Sequence, residues 1–284
     1  MALYSLNTLK NKTNNIVYNS PHSGELFPEE FRKISQVDEH TLLSSGDSYV
    51  NELFNEAQNH GSFLLSNNYA RSFMDTNREA YELDPSMLSG DITEPLNYHS
   101  QKVKMGFGSI AKYGYTRKDI YESKIPFSDA QKRLKEYYFP IHEKLDRLLN
   151  EEFDTYGYSL LIDCHSMPSY EFLGYRQETY KQPDIILGNL FDKSCHPKIT
   201  EYLTNYFQNN NLSVSHNAPF AGGYNTSHYS APDKHKHAIQ IEIKKSLYMN
   251  EETRTLNSKF KTLKSIMTTC CLNLDNNIND LIFD

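Results

Sequence analysis

The chain has 284 residues, 38% hydrophobic and 23% charged, the balance of a globular protein rather than a disordered one, and it is long enough to bury a sizeable core. A formal net charge of −7, with lysines and arginines dispersed along the chain, argues against a nucleic-acid binder, whose affinity rests on neutralising phosphates. The first residues lack the charged start and apolar run of a signal peptide and no stretch approaches a membrane span, so no membrane association and a cytoplasmic location are expected.

The first predicted strand is Asn15–Asn19, which runs into Ser20-Pro21-His22-Ser23-Gly24-Glu25. A strand that ends in a tight Pro-His-Ser-Gly turn presents an imidazole, with a carboxylate three residues on. Asp47 opens a predicted helix over Asp47–Gln58, in which Val50, Leu53, Phe54 and Ala57 recur at helical spacing. An acid favoured by the helix dipole is a sufficient account of Asp47 from spacing alone; the alternative is a metal ligand. After a strand over Gly61–Ser66 comes Arg71-Ser-Phe-Met-Asp75-Thr-Asn77-Arg78. Two guanidinium groups, a carboxylate and an amide within eight residues make either a surface ion-pair cluster or a grip for a substrate carboxylate, with Asp75 orienting an arginine. Tyr81–Lys124 has little periodicity and reads as a long loop region flanking a site.

A long helix is predicted over Ser128–Glu152, with Ser128 and Gln131 as a capping box and Pro140 expected to kink or divide it. The strand Ser159–Asp163 follows, and Leu160-Leu-Ile-Asp163-Cys164-His165 breaks from apolar to polar where a buried strand delivers side chains to a site. Further strands are expected over Asp184–Gly188, Ser213–His216 and Ala238–Ile243. In the last, Ile239, Ile241 and Ile243 share one face and Gln240, Glu242 and Lys244 the other. Glu242 is thus either part of a solvated polar row or a general base above a site. Gly222 and Gly223, in the loop after the fifth strand, permit close backbone approach to a ligand. Glu251–Leu274 closes the chain as a helix. Cys164, Cys195, Cys270 and Cys271 show no C-x-x-C spacing and read as reduced thiols.

Alternating strands and helices predict one α/β domain over residues 1–284, its core about 15–275, with a mixed, mainly parallel sheet flanked by helices. A turn role explains His22 or His165 singly. Together, at two strand ends, they point to a hydrolytic metal site completed by one acid, with Glu25 and Asp47 as alternatives for that position.

The ordered set Pro21-His22-Ser23-Gly24, Asp47, Arg71, Asp75-Thr-Asn77-Arg78, Pro140-Ile-His142, Asp163-Cys-His165-Ser-Met-Pro168, Asp184-Ile-Ile-Leu-Gly188, Asn217-Ala-Pro-Phe-Ala-Gly222-Gly223-Tyr224 and Gln240-Ile-Glu242-Ile resembles the N-formylglutamate amidohydrolase family. That family is in turn similar to zinc carboxypeptidases and aspartoacylases, with a phosphorylase/hydrolase-like fold. The resemblance implies one Zn²⁺ per chain on His22, His165 and Glu25 or Asp47, and Glu242 as general base. It further implies Arg71, Asn77, Arg78, Gly222 and Gly223 around a small acidic, amino-acid-derived substrate. The expected reaction is hydrolysis of the formyl amide of N-formyl-L-glutamate to formate and glutamate. The alternatives are a related zinc amidase or carboxypeptidase acting on another N-acyl amino acid or small peptide, and a non-catalytic homologue that binds acidic ligands. The chain departs from the family pattern at Asn189-Leu190, where Asp-Arg is usual, and at Lys244-Lys245, where Asn-Arg is usual.

Overall fold

The computed structural model describes residues 1–8, 16–114, 116–170, 172–174 and 181–283. Its strands are, in chain order, β1 (Tyr4–Asn7), β2 (Ile16–Ser20), β3 (Phe63–Asn67), β4 (Leu88–Ser89), β5 (Ile125–Pro126), β6 (Ser159–Met167), β7 (Ile185–Gly188), β8 (Val214–His216), β9 (Lys236–Lys244), β10 (Met249–Asn250) and β11 (Thr255–Leu256). Seven form one sheet in the order β1-β3-β2-β6-β9-β7-β8. β2, β6 and β9 run parallel, β7 is antiparallel to β9, and β8 is parallel to β7. The expected mixed, helix-flanked α/β sheet is the one observed. The six strands read from the sequence are all present; Asn15, placed in the first of them, lies outside the described residues.

The chain divides into two compact units, each discontinuous in sequence. The first comprises Met1–Ser5, Pro21–Ser48 and Ser66–Asp146; the second comprises Leu6–Ser20, Tyr49–Leu65 and Arg147–Asp284. Each has its own hydrophobic core. In the second unit, one face of the sheet carries Tyr18, Ile162, Cys164, Ile239, Ile241 and Ile243. Against them pack Ile199, Leu203 and Phe207 of the helix Pro197–Asn209, and Leu263, Met267, Leu274 and Ile278 of the helix Phe260–Phe283. Burying a side chain of this kind stabilises the fold by roughly 1.5–3 kcal/mol. The opposite face of the same strands carries Asn19, Asp163, His165, Gln240 and Glu242, because side chains alternate and these residues are in register: Asn19 with Asp163, Asp163 with Gln240, His165 with Glu242. One sheet therefore has an oily face and a polar face, and the polar row is buried too.

Four sequence expectations change. Asp47 does not open a helix: Tyr49, at φ 65°, breaks the chain before a short helix Val50–Leu53, and a tighter turn follows over Asn55–His60. Tyr81–Lys124 is mostly irregular, yet Leu83, Met87, Leu88, Ile110, Ile120 and Tyr121 from this region build much of the first unit's core; their spacing follows no single period, which hides them from a periodicity search. The long helix starts at Phe127 after Pro126 with no side-chain cap, so Ser128 and Gln131 do not form a capping box there. It widens into a π turn over Leu134–Tyr138 and continues as Phe139–Tyr156. Pro140 has no N–H to give the preceding turn, and the widened turn absorbs that missing bond. Lastly, the closing helix begins at Phe260 rather than Glu251. Asn250 Oδ1 accepts from the backbone N–H groups of Glu252 and Thr253, both at 3.0 Å, holding a turn between β10 and β11. The helix then runs past Leu274 through a stretch of Asn and Asp, because Ile278 and Ile282 still pack into the core.

Candidate functional site

In the first unit, His22 follows the end of β2 by two residues. Gly24 closes the turn; a Cβ there would stand 2.4 Å from the Asn68 carbonyl carbon, so only glycine lets the turn lie against that backbone. The segment carrying Asp47 is joined to this turn: its N–H donates to the His22 carbonyl at 2.8 Å, and Ser23 Oγ donates to the Asp47 carbonyl at 3.1 Å. These bonds hold Asp47 Oδ2 at 3.4 Å from His22 Nδ1, with both residues buried. The other ring nitrogen, Nε2, lies 2.7 Å from Asp75 Oδ1. An ionised carboxylate can only accept, so Nε2 carries the proton and donates.

Asp75 is the hub of this cluster. It also accepts from Arg71 Nε at 3.0 Å and from the Asn77 N–H at 2.8 Å, with Arg78 Nη2 at 3.7 Å. Burial pushes its carboxyl up, but Arg78, His22 and Arg71 outweigh burial and hold it well below the usual carboxylate range. Asp75 stays ionised and keeps the His22 ring fixed. Arg78 is tied down further, with Nε donating to the Phe107 carbonyl at 2.9 Å and Nη1 to the Asn77 carbonyl at 2.6 Å. Arg71 is the more accessible guanidinium, its side chain 24% exposed against 9% for Arg78. Glu25 is exposed and accepts from Ser48 Oγ at 3.4 Å.

In the second unit, Asp163 plays for His165 the part that Asp75 plays for His22. Its Oδ2 lies 2.8 Å from His165 Nε2, while Oδ1 accepts from Asn19 Nδ2 at 2.8 Å and Asn225 Nδ2 at 3.2 Å. Asp163 and His165 are two apart on one strand and so share a face. Glu242, beside His165 across the β6–β9 pair, accepts from Gln240 Nε2 at 2.8 Å and is 8% exposed. A solvated polar row is excluded by that burial. Gly222 and Gly223 lead into the short helix Tyr224–His228, whose Asn225 is the residue that reaches Asp163.

Two residues at the departures from the family pattern are engaged within the fold. Asn189 donates to Asp192 at 2.7 Å and Thr200 at 2.9 Å, and it exchanges hydrogen bonds with Asn217. Lys244 Nζ pairs with Asp184 at 2.6 Å.

Sequence reasoning missed the bracing carboxylates. For Asp163 a signal existed, since Asp-x-His at period two places both on one face of a strand. For Asp75 as the partner of His22 there was none, because the two lie 53 residues apart. Imidazoles braced through Nε2 by carboxylates are the usual second layer of a metal site, fixing the tautomer and raising ligand basicity.

The family model for N-formylglutamate amidohydrolase matches residues 14–249. A protein of Pseudomonas putida named N-formylglutamate deformylase is 29% identical over 243 residues, covering 83% of this chain and 82% of its own. One of the same name from Pseudomonas aeruginosa is 28% identical, covering 76% and 75%. The crystal structure of an N-formylglutamate amidohydrolase from Ralstonia eutropha JMP134 superposes with a TM-score of 0.93, at 27% identity and 99% coverage of both chains. With its strand ends, its braced histidines and a family match across most of its length, the chain belongs to the N-formylglutamate amidohydrolase family.

Proposed function

We propose that this chain is a zinc-dependent amidohydrolase that hydrolyses the formyl amide of N-formyl-L-glutamate to formate and glutamate. The observation that carries the reading is the matched pair of histidines at the carboxyl ends of adjacent parallel strands, each giving Nε2 to a buried aspartate. The names of the Pseudomonas relatives supply the substrate.

In this reading His22, Asp47 and His165 hold the ion. With Nε2 committed, Nδ1 is the atom each histidine offers, and two imidazoles with one carboxylate suit zinc and keep a fourth position open. The sheet register supports the choice, since Asn19 pairs with Asp163 and the two histidines follow three and two residues later. Glu25, exposed and occupied with Ser48, is set aside for Asp47. Bound there, a zinc ion supplies a Lewis acid for the amide carbonyl and makes water more acidic.

Glu242, its carboxylate aimed by Gln240, accepts a proton from the attacking water and delivers it to the departing nitrogen as the C–N bond breaks. Arg71, with Asn77 and Arg78, takes the substrate's carboxylates, and the Gly222–Gly223 loop lies over the bound molecule. Among the described residues no helix is long and apolar enough to cross a membrane. Four buried free cysteines support placing the reaction in the reducing cytoplasm.

The test is metal analysis of the purified protein, paired with formate release from N-formyl-L-glutamate before and after chelation. About one zinc per chain and chelator-sensitive formate release are expected. Zinc without formate release refutes the substrate; no metal, and no activity after zinc is restored, refutes the site.

A further inference from the structure

Away from these residues, the first unit contains an open cavity of about 260 Å³ whose lining includes Phe31, Ile34, Phe73, Arg133 and Tyr137. Its unusual member is Arg133. The residue is only 8% exposed, and its guanidinium carbon sits 4.9 Å from the Phe73 ring centre, 5.3 Å from Phe31 and 5.5 Å from Tyr121. Of its five N–H donors it gives one hydrogen bond, from Nη1 to Tyr121 Oη at 2.8 Å, and among the described residues it has no ion-pair partner. Aromatic faces offset part of the charge, but ring faces do not take the place of acceptors for the remaining donors. A largely buried guanidinium with one acceptor and no counter-ion, lining an open cavity, has donors left over that suit a carboxylate or phosphate.

The rim decides between these anions. Glu30, Asp129 and Glu136 line the same cavity, and besides Arg133 itself Lys132 is the other cation in its lining. Three carboxylates disfavour a phosphate dianion at the mouth and favour a ligand that also carries a positive group. The apolar remainder of the wall, Phe31, Ile34, Phe73 and Tyr137, offers a surface for a hydrocarbon side chain. The volume lies below the range typical of drug-sized ligands. We propose that this cavity binds a free amino acid with a mid-sized apolar side chain. Its carboxylate rests on Arg133, its ammonium group on the acidic rim, and its side chain against the rings.

The experiment is calorimetric titration of the whole protein with L-leucine and L-phenylalanine, with 4-methylpentanoate and 3-methylbutylamine as analogues that each lack one charged group. Saturable binding of at least one amino acid is expected, with a dissociation constant on the order of 1 mM or tighter. Each analogue should bind at least about tenfold more weakly than leucine, the loss of one charge-assisted contact. Arg133→Met should weaken binding by a similar factor. Ile34→Trp, a change at a 44% exposed position on the cavity wall, should block it while leaving the fold intact. No saturation by either amino acid up to on the order of 10 mM overturns the proposal, as does equal affinity for the deaminated acid. Binding unaffected by Ile34→Trp places the ligand elsewhere and also refutes it.

Discussion

His237 makes this protein acid-sensitive in a way that can be isolated. It lies on β9 opposite Leu160 of β6, on the same face as Ile239 and Ile241, and is 1% exposed. Neither ring nitrogen has a hydrogen-bond partner among the described residues, and the His196 ring is 6.4 Å away. Burial, with smaller contributions from His196 and His235, pushes its pKa down from 6.5 to about 4. Between those values the unfolded chain holds a proton that the folded chain does not, so folding stability falls as pH drops through the window. At about 1.4 kcal/mol per pH unit the full effect is about 3 kcal/mol, and about 2 kcal/mol of it is lost between pH 8 and pH 5. The assay is urea unfolding of the natural protein and of His237→Leu at both pH values, with chelator present throughout so that metal loss in acid affects neither comparison. The natural protein should lose about 2 kcal/mol more than the variant over that interval. Equal losses in the two proteins, or an NMR titration that finds His237 protonating near 6.5, would refute the reasoning.

Glu242→Gln should bind zinc as the natural protein does while turnover falls by about 10²–10⁴-fold; metal content and formate release measured on one preparation check it, and normal turnover removes Glu242 from the chemistry. Asp75→Asn and Asp163→Asn should each weaken zinc binding by about 10–100-fold, because each carboxylate orients one histidine. Competition with a chromophoric chelator measures this, and unchanged affinity in both would show that the bracing is incidental. Gly24→Ala sets a methyl group 2.4 Å from the Asn68 carbonyl carbon, and forcing the turn away should cost at least about 1–3 kcal/mol. A melting temperature equal to that of the natural protein would contradict the close approach.

Local pattern carried the sheet strands well. Hydrophobic runs and the period-two alternation of Ile239–Ile243 are written in neighbouring residues, so six of the sheet's seven strands and the two faces of β9 could be read directly. Helix ends were harder. The run of Asn and Asp after Leu274 has poor helix propensity, yet the helix continues because Ile278 and Ile282 find a core that the local sequence does not reveal. β1 alternates as well, as Tyr4-Ser5-Leu6-Asn7, but four partly exposed residues at the edge of the sheet are too short a run to mark a strand.

The same division holds for the chemistry. By itself the sequence determined which groups stand at the carboxyl ends of the strands: His22 after β2, His165 within β6 and Glu242 on the polar face of β9. Strand boundaries and side-chain alternation are local properties, and they are enough to place those side chains. Only the tertiary structure decided that Asp47 stands beside His22 while Glu25 faces solvent, that Asp75 and Asp163 hold the two imidazoles through Nε2, and that Arg78 spends two of its donors on backbone carbonyls. Apart from two local pairs, Asp163 with His165 and Arg78 with the carbonyl of the adjacent Asn77, these contacts join residues brought together by the path of the chain. Nothing in the spacing along it distinguishes a carboxylate that folds against an imidazole from one that folds into water.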